Sequence, residues 1–280
     1  MAGMLAARVL ADTFEQVTII ERHDYHLADT PASQRQDDQY VTPPALAQVL
    51  VDPARAQLEG LFPGLCADLV EDAVAIGRPE HHLARRLNSL DGVVLMDGCD
   101  AVGLASDKER CAGGQVLPRS RSAAARTIPA DLLVDAMGAG SRLSLWVTEL
   151  WGTRIPIERY EVLLPADVRD AGETAGAAIS HTTTLCLRRR FDLAERLPTG
   201  LIALGNSLCC LDPRSERGVV VAALHARLLQ QLLAEHDAEG SAGRSRMVPR
   251  RYFDAVMRVP SWLSPDSVMT PARDGVYPWP

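Results

Sequence analysis

Met1-Ala2-Gly3-Met4-Leu5-Ala6-Ala7-Arg8-Val9-Leu10-Ala11-Asp12, followed shortly by Val17-Thr18-Ile19-Ile20-Glu21-Arg22, is the stretch on which the reading of this chain turns. Met4 to Asp12 is apolar at helical spacing, and Val17 to Ile20 is a β-branched run that predicts a strand. A dinucleotide-binding turn of the form G-x-G-x-x-G uses its third glycine to pack the helix closely against the sheet. An acidic residue at the end of the next strand then receives the ribose hydroxyls. Gly3 suits that third glycine and Glu21 suits the acidic residue. The first two glycines and the strand before them would lie upstream of Met1, so the stretch reads as the downstream part of such a fold or as one that lacks its first strand.

The rest of the chain alternates helices with apolar strands, which predicts an α/β protein. His23 to Thr42 is polar and reads as irregular. Helices are expected over Ala45 to Leu61 with a break at Asp52-Pro53, over Leu65 to Val74, and from Pro79 to Leu90. Proline is tolerated in a first helical turn because its missing N–H would have had no partner there. Asp91-Gly92 is a turn before the strand Val93 to Met96. Ala101 to Ile128 reads as short strands with loops at Ser106-Asp107-Lys108 and Gly113-Gly114. Asp131 to Asp135 and Leu201 to Asn206 are the apolar runs of buried parallel strands. Ser141 is placed to cap a helix through Leu150, and Val219 to His236 forms a strong helix. Trp151 to Arg190 reads as mixed strands and loops, and the proline-rich tail from Ser261 as a surface wrap.

At 280 residues the chain can form one large domain or two small ones. With 29 basic and 36 acidic residues its net charge is −7, which gives no reason to expect nucleic acid or an anionic membrane as partner. Arg188-Arg189-Arg190 and Arg250-Arg251 read as solvated faces or phosphate contacts. No apolar stretch approaches the roughly 20 residues of a membrane span. The six cysteines include no C-x-x-C pair, and with no signal-peptide pattern at the start they read as reduced thiols of a cytoplasmic protein. The vicinal Cys209-Cys210 reads as packing. His81-His82 and His23/His26 lack metal-ligand spacing, so no metal site is expected.

Three separated segments resemble the FAD-binding monooxygenase family of para-hydroxybenzoate-hydroxylase-like fold. Met1 to Arg22 resembles its glycine turn, first helix and ribose-binding Glu-Arg. Arg78-Pro79 through Arg142 resembles its Arg-Pro helix, its Asp-Gly-Cys strand (Asp97-Gly98-Cys99) and its Pro-Ala-Asp-Leu-Leu-Val-Asp-Ala-x-Gly-x-Gly-Ser-Arg segment, Pro129 to Arg142. Gly200 to Leu229 resembles its strand, Gly-Asp loop and last helix.

The resemblance implies a Rossmann-like FAD-binding part over 1–150, a reduced substrate-side segment over 151–200, and a second flavin-contacting strand and helix with the C-terminal tail over 201–280. It implies FAD as cofactor and NAD(P)H as co-substrate. Carried over by position, Gly3 packs the first helix, Glu21 accepts from the adenosine ribose and Arg22 lies beside the adenine. Arg78 approaches the flavin. Gly205 and Asn206 occupy the Gly-Asp position, Pro213 the proline of the following loop, and Gly218 the glycine opening the last helix. That helix N-terminus would turn its free N–H groups toward the pyrophosphate. Asn206 departs from the family aspartate, Glu216-Arg217 stand where the family has a glycine and a small or polar residue, and Trp151 to Leu204 is shorter than the family's substrate sheet. No residue matches a catalytic group on the substrate side.

The implied activity is an FAD-dependent oxidoreductase of monooxygenase type, using NAD(P)H and O2 on a small organic substrate. The competing reading is a degenerate, non-catalytic flavoprotein remnant that serves as a binding or interaction protein. A reductase using NAD directly is a third, against which the Gly205-Asn206 segment speaks.

Overall fold

The computed structural model describes residues 1–23, 52–71, 79–120, 123–165, 181–211, 218–238, 249–258 and 268–271. Helix α1, Ala2–Leu10, begins two residues earlier than the apolar run alone suggests. Met4, Leu5, Ala6, Ala7, Val9 and Leu10 are all buried, as expected of a helix that is apolar on nearly every side. Strand β1, Val17–Ile20, follows. Three helices come next: α2 (Asp52–Leu61), α3 (Leu65–Glu71) and α4 (Pro79–Asn88). Glu59 on α2 joins the first two by accepting from the N–H groups of Gly64 (2.8 Å) and Cys66 (2.7 Å), donors that the start of α3 would otherwise leave open.

β2, Val93–Met96, pairs in parallel with β1 from Val17↔Val93 to Ile20↔Met96. The turn into β2 requires Gly92: its φ is +78°, and a Cβ there would collide with the carbonyl of Glu15. β3 (Cys99–Asp107), β4 (Arg110–Pro118) and β5 (Arg126–Pro129) form an antiparallel sheet in the order β3-β4-β5. Gly113-Gly114 is therefore not the loop expected from sequence. Both residues lie inside β4, where a Cβ on Gly113 would strike the carbonyl of Ile128 on β5. Two glycines here permit close backbone approach rather than a turn.

β6, Leu133–Asp135, and β9, Leu201–Ala203, make a second parallel pair with Leu133↔Leu201 and Asp135↔Ala203. α5, Leu143–Trp151, lies between them in sequence. The segment hard to read from sequence resolves into β7 (Ile157–Pro165) and β8 (His181–Arg189), an antiparallel pair. β10, Cys209–Leu211, borders β8. α6, Gly218–Ala238, and α7, Pro249–Arg258, follow. Val268–Pro271 is an edge strand, β11, paired with β7, so this part of the tail joins a sheet instead of wrapping the surface. A proline is at home on such an edge, where its missing N–H breaks no ladder. The order of this sheet is β10-β8-β7-β11.

The core joins these pieces. α1 packs against α6, against β1 and against β6, so one helix bears on both parallel pairs. Leu5, Leu58, Leu83, Leu143, Ile202 and Leu204 are fully buried. Phe253 of α7 stacks on Phe191 with ring centroids 4.8 Å apart. The described cysteines Cys66, Cys99, Cys111, Cys209 and Cys210 are buried thiols.

Candidate functional site

β6 and β9 end side by side, and both chains then turn within a few residues. The N–H of Leu204 donates to the carbonyl of Asp135 at 3.0 Å, the last rung of the ladder. Beyond it Gly138–Gly140 and Gly205–Ser207 each form a single 3-10 turn. The carboxylate of Asp135 connects them. Its Oδ1 accepts from the N–H of Met137 (2.9 Å) and from Ser207 Oγ (3.1 Å), and its Oδ2 accepts from Ser141 Oγ. Ser207 Oγ in turn accepts from the N–H of Gly138 at 2.7 Å. Ser141 Oγ also accepts from the N–H of Leu143 (3.2 Å), but the N-cap position of α5 is Arg142, so Ser141 lies one residue outside the cap expected of it.

Arg189, at the end of β8, closes the arrangement from the far side. It donates to the carbonyls of Ser207 (2.9 Å) and Asn206 (3.4 Å) in one turn and to that of Ala139 (3.0 Å) in the other. Burial pushes the Asp135 carboxyl above its ordinary range, while the donors around it and the charge of Arg189 pull it back. Burial likewise lowers the pKa of Arg189, and the neighbouring carboxylate offsets this. The Arg188 to Arg190 run is therefore no solvated face. Arg189 is 7% exposed, and Arg190 pairs with Glu158 and Asp192, both at 2.6 Å. Arg250 similarly donates to the carbonyls of Asp192 (2.7 Å) and Ala194, and Arg251 pairs with Glu235 at 3.0 Å. Arg189 and Arg250 are consumed by carbonyls that only the fold brings to them, whereas Arg251 and its partner Glu235 are both exposed, as a solvated face requires.

Gly3, Gly205, Asn206 and Gly218 meet at this place. Gly3 lies in the first turn of α1, where a Cβ would stand 3.4 Å from Ala136, just past β6. Gly205 has φ +59° and lies between α1 and α6, with a Cβ reaching Ala2 at 3.0 Å and Ala222 at 3.5 Å. Its N–H donates to His225 Nδ1 at 2.9 Å. The Asn206 amide lies beside Gly218, whose Cβ would be 3.5 Å from its Oδ1, while a Cβ on Gly138 would be 4.0 Å from Asn206 Cβ. Among the described residues, Asn206 Oδ1 is buried with no hydrogen-bond partner.

Glu21 and Arg22 belong to the other parallel pair. Glu21 directly follows β1; its Oε1 accepts from the N–H of His23 (3.0 Å) and its carbonyl from the N–H of Cys99 (2.9 Å). Arg22 is well exposed and reaches Asp100 at 3.4 Å, which Arg119 also approaches at 3.5 Å. Arg78 and Pro213 lie outside the described residues, as do Glu216 and Arg217. The sequence reading missed Asp135, Ser207, Arg189 and His225 as site residues. A carboxylate ending an apolar strand was the available signal for Asp135. Nothing local marks Arg189 or His225.

A buried carbonyl oxygen that lies beside Gly218 and has no partner among the described residues is a place where a hydroxyl donor fits. The flavin's ribityl chain carries such donors, so the residues present fit the group that the resemblance implies.

No protein-family model matches the chain. Over 198 residues it is 28% identical to Protein Rv3254 of Mycobacterium tuberculosis (strain ATCC 25618 / H37Rv), a match covering 56% of this chain and 40% of that protein. The chain thus spans well under half the length of this relative. Among solved structures it is similar to the myxobacterial chondrochloren halogenase, a variant of FAD-dependent halogenases, with a TM-score of 0.50 at 13% identity over 91% of this chain and 76% of that one. It is similar to the Diels-Alderase of pyrroindomycin biosynthesis (TM-score 0.50, 15% identity, 91% and 68% covered). It is also similar to BexE, studied for oxidation during BE-7585A biosynthesis (TM-score 0.50, 14% identity, 92% and 65% covered). The chain therefore has the α/β fold found in FAD-dependent halogenases. Halogenation, cycloaddition and oxidation all appear among these neighbours, so the fold alone does not choose a reaction. Among the described residues no helix is long and apolar enough to cross a membrane.

Proposed function

We propose that this chain binds FAD and serves an oxidoreductase of monooxygenase type, acting on a small organic substrate with NAD(P)H and O2. The observation that carries the reading is Asn206. Its Oδ1 is buried and has no partner among the described residues, an arrangement that costs about 1–3 kcal/mol and that a ligand hydroxyl donating to it would relieve. FAD supplies the redox chemistry when bound. The chain's own residues bind and orient. The Gly205–Ser207 turn and Gly218 would face the ribityl and pyrophosphate part, with the first N–H groups of α6 toward the phosphates. Asp135, Ser207 and Arg189 would hold the two turns at a fixed separation. Glu21 would accept from the adenosine ribose.

Adding FAD to the purified chain and following flavin fluorescence and visible absorption tests this reading. Saturable quenching with a shifted flavin spectrum is the expected result. Flavin that stays free in solution would instead favour the second reading, a non-catalytic remnant. One observation favours that alternative: an asparagine offers the ribityl hydroxyls one neutral acceptor where an aspartate would offer two charged ones.

A further inference from the structure

His225 is buried at 3% exposure, two turns into α6. Gly218, Val221, Ala222 and His225 follow one another at the i, i+3, i+4 and i+7 positions of that helix, so they share one face. That face lies against the Gly205 turn. Gly218 flanks the Asn206 amide, Ala222 abuts Gly205, and His225 Nδ1 accepts the Gly205 N–H at 2.9 Å. Leu204 N–H makes the last rung of the β6–β9 ladder, and by the alternation of an extended strand Gly205 N–H points the other way, away from β6. On that side an imidazole nitrogen from α6 receives it.

We propose that His225 is a positioning residue for the cofactor turn: its Nδ1 fixes the direction of Gly205 and thereby holds the Asn206 amide against Gly218. The role rests on the flavin reading above. It requires the ring to be neutral, with its proton on Nε2, since only an unprotonated Nδ1 accepts. Burial, with the Arg188 charge nearby, keeps it so by lowering its pKa to about 3.

The test compares His225→Asn, His225→Gln and His225→Phe in the full chain. Asparagine carries its acceptor one bond from Cγ, where Nδ1 sits, whereas glutamine carries it farther out, near the Nε2 position. FAD affinity is read by fluorescence quenching. Amide hydrogen exchange of a peptide covering residues 201–211 is read without FAD. His225→Phe and His225→Gln should weaken FAD binding about tenfold, the scale of one buried hydrogen bond, and speed exchange in that peptide. His225→Asn should remain within about threefold of the parent and protect the peptide as well. If His225→Phe fails to fold, the Asn and Gln pair still decides.

Equal affinity and equal exchange in all the variants would overturn the proposal. So would His225→Asn behaving as badly as His225→Gln, which would mean that ring shape matters and the acceptor does not. A parent chain silent to FAD would overturn the flavin reading instead. The exchange data then decide alone: rescue by Asn supports the hold of His225 on the turn, and no rescue overturns it.

Discussion

The hydroxyl of Ser207 donates to the carboxylate of Asp135 at 3.1 Å, across 72 residues of sequence. The same hydroxyl accepts the Gly138 N–H. One small side chain therefore links the two turns that leave the β6–β9 pair, and both turns carry residues at the candidate flavin site.

Ser207→Ala removes a donor and an acceptor together. Gly138 N–H would lose its partner and Asp135 would lose one of its donors, both in a buried place. The expected loss is about 2 kcal/mol, or a melting temperature lower by roughly 4–8 °C for a protein of this size. Differential scanning calorimetry checks it. An unchanged melting temperature would mean that the turns are held without this link.

Stability should fall on acidification, in part through His225. Its ordinary pKa of 6.5 is lowered to about 3 in the fold. Below pH 6.5 the unfolded chain therefore takes up a proton that the folded chain refuses. Its contribution is fully present above 6.5 and is lost as pH falls toward 3, with a slope of at most about 1.4 kcal/mol per pH unit. Asp135 acts in the opposite sense. Its raised pKa means that the folded chain binds a proton more readily, so its contribution grows as pH falls through that raised value and is complete below the unfolded one. Urea midpoints across pH 4 to 7, compared between the parent and His225→Asn, isolate the histidine term. A parallel pair of curves would count against it.

Asn206→Asp should bind FAD about tenfold more tightly than the parent, because charged acceptors make hydrogen bonds about twice as strong as neutral ones. Without FAD the same change should lower the melting temperature, since the new carboxylate is buried without a donor. Thermal melts with and without excess FAD read both effects. A melt that drops without FAD and does not recover with it would mark the site as a relic.

Glu21→Gln is expected to weaken FAD binding about tenfold or more, the scale of a lost charge-assisted hydrogen bond. The substitution keeps an oxygen able to accept from the His23 N–H, so the turn after β1 should survive and the circular dichroism spectrum should not change. Isothermal titration with FAD decides, and an unchanged Kd would make Glu21 only the local cap that its contact with His23 describes.

Periodicity alone was enough for α1, β1, β2, β6, β9 and α6, because each is a local run whose apolar pattern matches one repeat. Their bounds shifted by a residue or a few: Gly3 falls within α1 since the helix begins where Ala2 meets Gly205, a long-range contact. Gly205, Asn206 and Gly218 were named through the family resemblance and not from residue type; the fold brings them near one another and near Gly3.

Other features were open to several readings until the chain was folded. Gly113-Gly114 has the composition of a loop, and only the neighbouring β5 makes it a strand. Arg189 has the sequence of a surface cation, and only the carbonyls of Ala139 and Ser207, brought from 50 and 18 residues away, make it a buried clamp. His225 is one polar residue on an apolar helix until Gly205 presents its N–H. The sequence determined which segments are helix and strand and which residues are small enough for close approach, because both follow from local backbone and side-chain preference. The tertiary structure alone decided which polar groups are buried and with whom, because desolvation and hydrogen bonding depend on partners that the order of residues does not reveal.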